Sequence, residues 1–123
     1  MATVESTGTQ SASVGTEHTL YHSTAFKTYL SRFSLSAMLS SESGTTGSTG
    51  QDVVELRIYA PIFATATSTS PANANLVYYG TYVGVQVPAI KESIPVVAPA
   101  GVLITLKQVN GTGRSYDWGV ISL

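Results

Sequence analysis

The two histidines are the residues whose type and spacing come nearest to a metal site. His18 and His22 lie four positions apart, and residues four apart on a β-strand share a face, so both rings could approach one ion. A zinc site needs at least a third protein ligand, and only Glu17 lies nearby in the sequence. This shortage of ligands favours two solvent-facing strand residues, and we expect neither a metal nor any other cofactor.

The carboxylates and serines do not form a recognisable catalytic pattern. Asp52, Glu55 and Asp117 are the acidic residues expected on ordered structure, but their spacing does not predict the facing pair that a glycosidase needs. Glu55 and Arg57 share a strand face, which predicts an exposed ion pair of small energetic value. No serine lies in a Gly-x-Ser-x-Gly motif, and no glycine-rich loop ends in Lys-Ser or Lys-Thr. The sequence therefore predicts a protein that is not an enzyme.

The composition of the chain excludes several classes of function. Charged residues make up only 11% of the 123 residues, and the six basic residues are scattered singly, so we expect no nucleic acid as a partner. No apolar run approaches the roughly 20 residues of a membrane span, so we expect no membrane association. Residues 1–15 lack the basic start and apolar core of a secretory signal, which predicts synthesis in the cytoplasm. Because the chain has no cysteine, disulfides and thiolate metal sites are excluded.

Alternation of apolar and polar residues at period two predicts strands through most of the chain. The predicted strands cover Glu17–His22, Phe26–Leu39, Asp52–Ala64, Leu76–Val87, Ile90–Val97, Val102–Val109 and Arg114–Leu123. A helix over Lys27–Met38 is an open alternative, because Leu30, Phe33 and Ala37 also lie at helical spacing. The pattern as a whole predicts an all-β fold, an antiparallel β-sandwich or jelly roll of six to eight strands with an extended N-terminal arm.

The connections between these strands are predicted from their turn-forming residues. Polar loops are expected over Ser40–Gln51 and Thr65–Asn75, and Asn110-Gly111 is the strongest hairpin signal in the chain. Residues 1–16 are small, polar and aperiodic, which predicts a flexible tail or an arm that becomes ordered against a partner. The expected organisation is therefore an arm over residues 1–16 and one sandwich domain over residues 17–123.

The aromatic residues allow two interpretations. Tyr78, Tyr79, Tyr82, Tyr116 and Trp118 fall in strands expected to be central, where aromatic rings usually fill a core. Alternation separates Tyr78 and Tyr82 from Tyr79, so either the pair or the single ring faces inward. Rings left outside around Tyr79 or Tyr116 would instead form a platform for sugars.

Three stretches of the chain resemble a known group of proteins. They are DVVELRIY from Asp52, LVYYGTY from Leu76 and LKQVNGTGRSYDW from Leu106. They resemble small proteins encoded among the virion genes of tailed bacteriophages, and the similarity covers residues from about Asp52 to Leu123. The resemblance implies a virion structural protein, and it carries over no catalytic residue.

The resemblance and the composition together lead to one expected role. We expect a capsid decoration or cement subunit on a phage head, made in the host cytoplasm and then located in the virion. Its partners would be the major capsid protein or other virion proteins, together with copies of itself. The candidate partner-contact residues are Thr3, Val4 and Val14 in the arm, and Tyr79 and Tyr116 in the domain. A glycan-binding adhesion module of a tail or head fibre is the alternative.

Overall fold

The computed structural model describes residues 2–39, 51–61 and 75–123, and its regular structure consists of nine β-strands. The strands are β1 (Thr3–Ser11), β2 (Glu17–Ser23), β3 (Lys27–Ser34), β4 (Val53–Tyr59), β5 (Leu76–Val83), β6 (Ile90–Glu92), β7 (Val96–Ala98), β8 (Val102–Asn110) and β9 (Ser115–Ser122). The predicted loops over Ser40–Gln51 and Thr65–Asn75, and the end of the strand predicted up to Ala64, lie almost entirely outside the described residues.

The strands form two antiparallel sheets that pack face to face. Sheet I has the order β1-β9-β3-β6, with β7 also pairing with β3, and sheet II has the order β2-β8-β4-β5. The strand pairs are nested in sequence: β4 pairs with β5, β3 with β6 and β7, β2 with β8, and β1 with β9. This winding is that of a jelly roll, and the predicted all-β sandwich is confirmed.

The core lies between the two sheets, and period-two alternation builds it. In sheet II the inward residues of β4 and β8 are completely buried; they are Val54, Leu56, Ile58, Val102, Ile104 and Leu106. Sheet I opposes them with Tyr29, Phe33, Tyr116 and Val120. Each such side chain contributes about 1.5–3 kcal/mol on burial. The segment Lys27–Ser34 is a strand and not a helix, because its alternate residues are needed on this face.

The N-terminal segment is a strand of the protein's own sheet, so the prediction of a flexible or partner-ordered arm over residues 1–16 is wrong. β1 pairs along its whole length with β9, from Thr3 opposite Ser122 to Ser11 opposite Ser115, with a bulge between Val4 and Ser6. Composition misled the prediction, since Thr and Ser are poor core residues but pair well in an edge strand. β1 is also one reason that the strands number nine and not six to eight.

Two further predictions about connections are corrected. Asn110-Gly111 does not close a hairpin, because β8 belongs to sheet II and β9 to sheet I. The turn crosses between the sheets, and both strands find other neighbours. The strand predicted over Ile90–Val97 is divided into β6 and β7, which pair with different parts of β3 around Pro95.

Candidate interaction surface

Asp52 is a buried carboxylate with a structural role. Its Oδ2 accepts hydrogen bonds from the Leu39 N–H at 2.8 Å and from Arg114 Nε at 3.0 Å. Its Oδ1 accepts from the Thr112 N–H at 2.9 Å and from Gln108 Nε2 at 3.2 Å. Because both oxygens are occupied and a guanidinium neutralises the charge, Asp52 ties the backbone at Leu39 to the turn after β8.

Gln108 and Tyr116 extend this network into the core. Tyr116 is completely buried, and its hydroxyl donates to Gln108 Oε1 at 2.8 Å. Burial raises the pKa of Tyr116 above its ordinary 10.0, and the nearby charge of Asp52 acts in the same direction. Gly111 closes the turn with a φ of +88°, and a Cβ there would lie 2.0 Å from Asp52 Oδ1, so only glycine fits. Asp52 and Tyr116 are therefore committed to the fold.

A second polar cluster lies on the outer face of sheet II. Glu17 Oε2 accepts hydrogen bonds of 2.6 Å from both the Tyr59 hydroxyl and the Thr105 hydroxyl. Arg57 lies between two carboxylates, with Nη2 2.6 Å from Glu55 Oε2 and Nη1 3.5 Å from Glu17 Oε1. The predicted Glu55–Arg57 ion pair is present, but it is largely buried, since the two side chains are 13% and 25% exposed.

This cluster holds Tyr79 of β5 in one orientation. The Tyr79 hydroxyl donates to Glu55 Oε1 at 2.7 Å, and Arg57 Cζ lies 5.3 Å from the centre of the Tyr79 ring. Burial favours the neutral form of Glu55, but the hydrogen bonds from Tyr79 and Arg57 outweigh it and hold the pKa of Glu55 below its usual 4.5. With 49% of its area still exposed, Tyr79 is a fixed aromatic group on an open face.

β5 is an edge strand of sheet II in the part of the chain that the structure describes. Among the described strands it pairs only with β4. The Gly84 N–H donates to the Asp52 carbonyl at 2.8 Å, so the even-numbered residues of β5 exchange hydrogen bonds with β4. The backbone groups of the odd-numbered residues Tyr79, Thr81 and Val83 then point outward, whereas Val77 is the extra residue of a bulge between Leu76 and Tyr78.

β5 has few of the features that protect sheet edges. Residues 76–83 include no charged residue and no proline, and the register with β4 is regular from Tyr78 to Val83. The side chains of Leu76, Val77, Tyr79 and Val83 are exposed. One outward group is satisfied within the chain, because Gln86 Nε2 donates to the Val83 carbonyl at 2.9 Å. β5 does carry a bulge at Val77, but an uncharged edge that is regular over residues 78–83 is still a template for another strand.

The apolar surface continues from β5 into the segment that follows it. Exposed aliphatic residues line this side of the sandwich, where the edges β5 and β6/β7 lie. We call them the apolar flank, and they are Val83, Val85, Val87, Ile90, Ile94 and Val97. Solvent-exposed apolar residues are common singly, but these six fall within residues 83–97, a stretch whose charged residues are Lys91 and Glu92, and such a concentration is typical of an interaction site.

The other sheet edges differ from β5 in ways that discourage pairing. β1 is bulged at Glu5, whose Oε1 accepts from Lys27 Nζ at 2.6 Å. β2 carries Glu17 and a bulge between Thr19 and Tyr21. β6 and β7 have three residues each, and β6 ends with Glu92, which forms an ion pair with Arg32. Bulges, charges and short length are the usual protections of an edge strand.

The bulge in β2 also corrects the expectation for the histidines. His18 pairs with Leu106 of the inner face, whereas His22 pairs with Leu103 of the outer face, so the rings lie on opposite faces. The Ser13 N–H donates to His18 Nε2 at 3.1 Å, which occupies one nitrogen. In the ranges 2–39, 51–61 and 75–123, no group of three His, Cys, Asp or Glu residues could hold a metal ion.

A shallow groove lies on sheet I beside the apolar flank. Gly119 leaves a gap in the outer face between Arg32 and Asp117, and Trp118 and Ile90 form part of its walls. Asp117 Oδ1 accepts a hydrogen bond of 2.6 Å from the Thr9 hydroxyl. Asp117 is the acidic residue that lines this groove, and Asp52 and Glu55 belong to the two clusters described above, so the three carboxylates do not converge.

The predicted partner-contact residues are distributed over three places. Thr3 and Val4 lie exposed in β1, and Val14 lies exposed in the turn before β2. Tyr79 lies exposed on the edge strand β5. Tyr116 is completely buried, so its prediction as a contact residue is wrong. Tyr116 belongs to the alternate residues of β9 that face the core, together with Val120.

Sequence reasoning missed the apolar flank. Period-two alternation assigns its residues to strands, whereas Val85 and Val87 lie in the connection after β5. A signal was present, because no charged residue occurs between Arg57 and Lys91. A surface that repels partners needs charge, and 33 consecutive residues without any predict a contact region.

The comparisons with known proteins give no relative. No protein-family model, no curated protein and no solved structure matches the chain. Within the described part of the chain, no helix is long and apolar enough to cross a bilayer.

Proposed function

We propose that this protein is a non-enzymatic structural protein of a phage virion, a decoration or cement subunit that stabilises the head lattice. The observation that carries the proposal is the apolar flank together with the unprotected edge β5. Both lie on one side of the molecule, where charged residues are few: Lys91 Nζ lies 5.9 Å from the centre of the Tyr82 ring of β5, and Glu92 is paired with Arg32. Such a surface suits permanent contact with another protein.

Two further observations support this role. The three stretches that resemble phage virion proteins include β4, β5 and the turn between β8 and β9, which together form and brace the β5 side. Jelly rolls are also a common architecture of viral capsid domains, although that argument is one of analogy between folds. The subunit would bridge neighbouring copies of the major capsid protein through the apolar flank. Binding across such a junction adds contacts that lattice expansion must break, and many weak sites act together.

The test compares two valines on opposite edges of sheet I. Val97 is 61% exposed in the apolar flank, and Val4 is 64% exposed in β1. We expect Val97→Asp to weaken binding of the purified protein to heads lacking it by about tenfold or more, because the charge loses hydration on docking. Val4→Asp, the matched control, leaves binding unchanged. Sedimentation with heads measures both, and equal weakening by the two variants would contradict the proposal.

A glycan-binding adhesion module is the second candidate, and one observation favours it. Tyr79 is half-exposed and rigidly held, as a sugar platform requires. The platform lacks its other predicted ring, since Tyr116 is buried, and Arg57 lies over the Tyr79 ring. Retention on a glycan array without binding to heads would favour this role over the first.

A further inference from the structure

We propose that β5 is a homotypic interface, at which a second copy of this chain adds its own β5 in antiparallel orientation. The two copies would share one continuous sheet of the order β2-β8-β4-β5-β5-β4-β8-β2. This inference names a partner for the surface described above and rests on the proposed function only for its biological purpose. It follows from the backbone groups, the symmetry of the strand and its lack of charge.

The outward backbone groups select one register. A two-fold axis at Gly80 places Val77 opposite Val83 of the second copy, and Tyr79 opposite Thr81 of the second copy. Tyr79 and Thr81 have outward-pointing N–H and C=O groups, so the two central pairs form about four hydrogen bonds between the copies, and the bulge at Val77 limits the pairing at the ends. The Val83 carbonyl keeps its bond from Gln86, because a carbonyl oxygen has two lone pairs.

The side chains fit this register. Val77 packs against Val83, and the two-fold axis passes through a residue that has no side chain, so bulk does not collide at the centre. Tyr79 keeps its hydrogen bond to Glu55 of its own chain, because that bond lies on the side of β4. Residues 76–83 contain no charge, so antiparallel self-pairing brings no like charges together.

The apolar flank extends the same interface. It begins at Val83 and continues along the side of the sandwich where β5 lies, so pairing at β5 brings the flanks of both copies towards each other. Strand pairing alone is a narrow contact, and a stable dimer also needs buried apolar area. A second copy supplies both, since it carries the same apolar flank and the same edge.

The first test removes an outward hydrogen-bond donor. The Thr81 N–H points away from β4, so Thr81→Pro deletes a donor to the second copy without deleting one within the chain. Thr81→Val, the matched control, keeps both the N–H and the branched shape. Sedimentation equilibrium on the full chain should give a dimer for the wild type and for Thr81→Val. For Thr81→Pro the dimer dissociation constant should rise by about tenfold or more.

The second test checks the register, using the absence of cysteine from the chain. In the proposed register, residue 77 of one copy faces residue 83 of the other, within the range of a disulfide. Val77→Cys alone and Val83→Cys alone place their thiols about 20 Å apart across the axis, beyond that range. Under mild oxidation we therefore expect dimers from a mixture of the two variants, and none from either variant alone. This test also holds if Thr81→Pro fails to fold.

The outcomes separate this inference from the proposed function. A wild-type protein that is monomeric in solution and also monomeric when bound to heads overturns homotypic pairing but leaves the decoration role standing. Crosslinking of one variant alone overturns the register. A dimer that crosslinks as expected and does not bind heads supports the pairing and contradicts the decoration role. A monomer whose β5 crosslinks to the major capsid protein assigns the edge to that protein and overturns the self-pairing.

Discussion

At the scale of single residues, the two polar clusters show how two carboxylates close in the sequence take different roles. Asp52 and Glu55 are three positions apart, yet one lies in a buried network of turns and the other holds a surface tyrosine. Sequence reasoning identified both as residues on ordered structure but could not assign their partners. The partners are Thr112 and Arg114 for Asp52, and Tyr79 for Glu55. They are distant in sequence, and only the sheet register brings them close to the two acids.

The buried carboxylate gives a prediction about stability. Asp52→Asn keeps the shape of the side chain but presents N–H groups to donors, and it removes the negative charge that lies 3.0 Å from Arg114 Nε. We expect a loss of about 3–5 kcal/mol in the free energy of unfolding. Asp117→Asn is the matched control, since Asp117 is exposed and accepts from Thr9, and it should cost less than about 1 kcal/mol. Urea denaturation followed by Trp118 fluorescence measures both, and equal losses would contradict the structural role.

At the scale of elements, period-two alternation predicted most of the strands because each has one face on the core. The alternation pattern gave wrong predictions for segments that have no apolar face on the core. β1 is an edge strand of Thr and Ser residues with no apolar face, so it resembled a disordered tail. The turn at Gly111 has the composition of a hairpin, but hairpin closure depends on which sheet each strand joins. Turn residues report local geometry, and they carry no information about that choice.

The reassignment of the N-terminal segment can be tested by hydrogen exchange. In the isolated protein, amides of β1 that pair with β9 should be protected to a degree similar to those of β2, the corresponding edge of sheet II. Exchange at the rate of the turn at Ser13–Thr16 would show that β1 is detached in solution. Mass spectrometry of peptides covering residues 2–11 and 17–23 makes the comparison.

At the scale of the whole molecule, the surface carries little unpaired charge, because most of the basic residues lie in ion pairs within the chain. Lys27, Arg32, Arg57 and Arg114 all lie in ion pairs within the chain. The net charge of −1 gives no field that could steer a partner over a distance. Association by this molecule must therefore depend on burial of apolar area and on backbone pairing, which act only at contact.

Ionic strength distinguishes this mode of association from an electrostatic one. Between low and moderate concentrations of sodium chloride, we expect the affinity for heads and for a second copy to change by less than about threefold. Ammonium sulfate should strengthen both, because excluded salts favour burial of apolar surface. Titrations monitored by light scattering provide the measurement. A steep fall in affinity with sodium chloride would show that charges dominate the contact.

The pairing of the first strand with the last has a practical consequence. Thr3 lies opposite Ser122, so the two ends of the described chain emerge side by side from sheet I. β1 contacts β2 on the side of the sandwich away from β5. A fluorescent or affinity tag fused at either end should thus project from the same corner and leave β5 accessible. The chain can in this way be displayed or imaged without a tag obstructing β5 or the apolar flank.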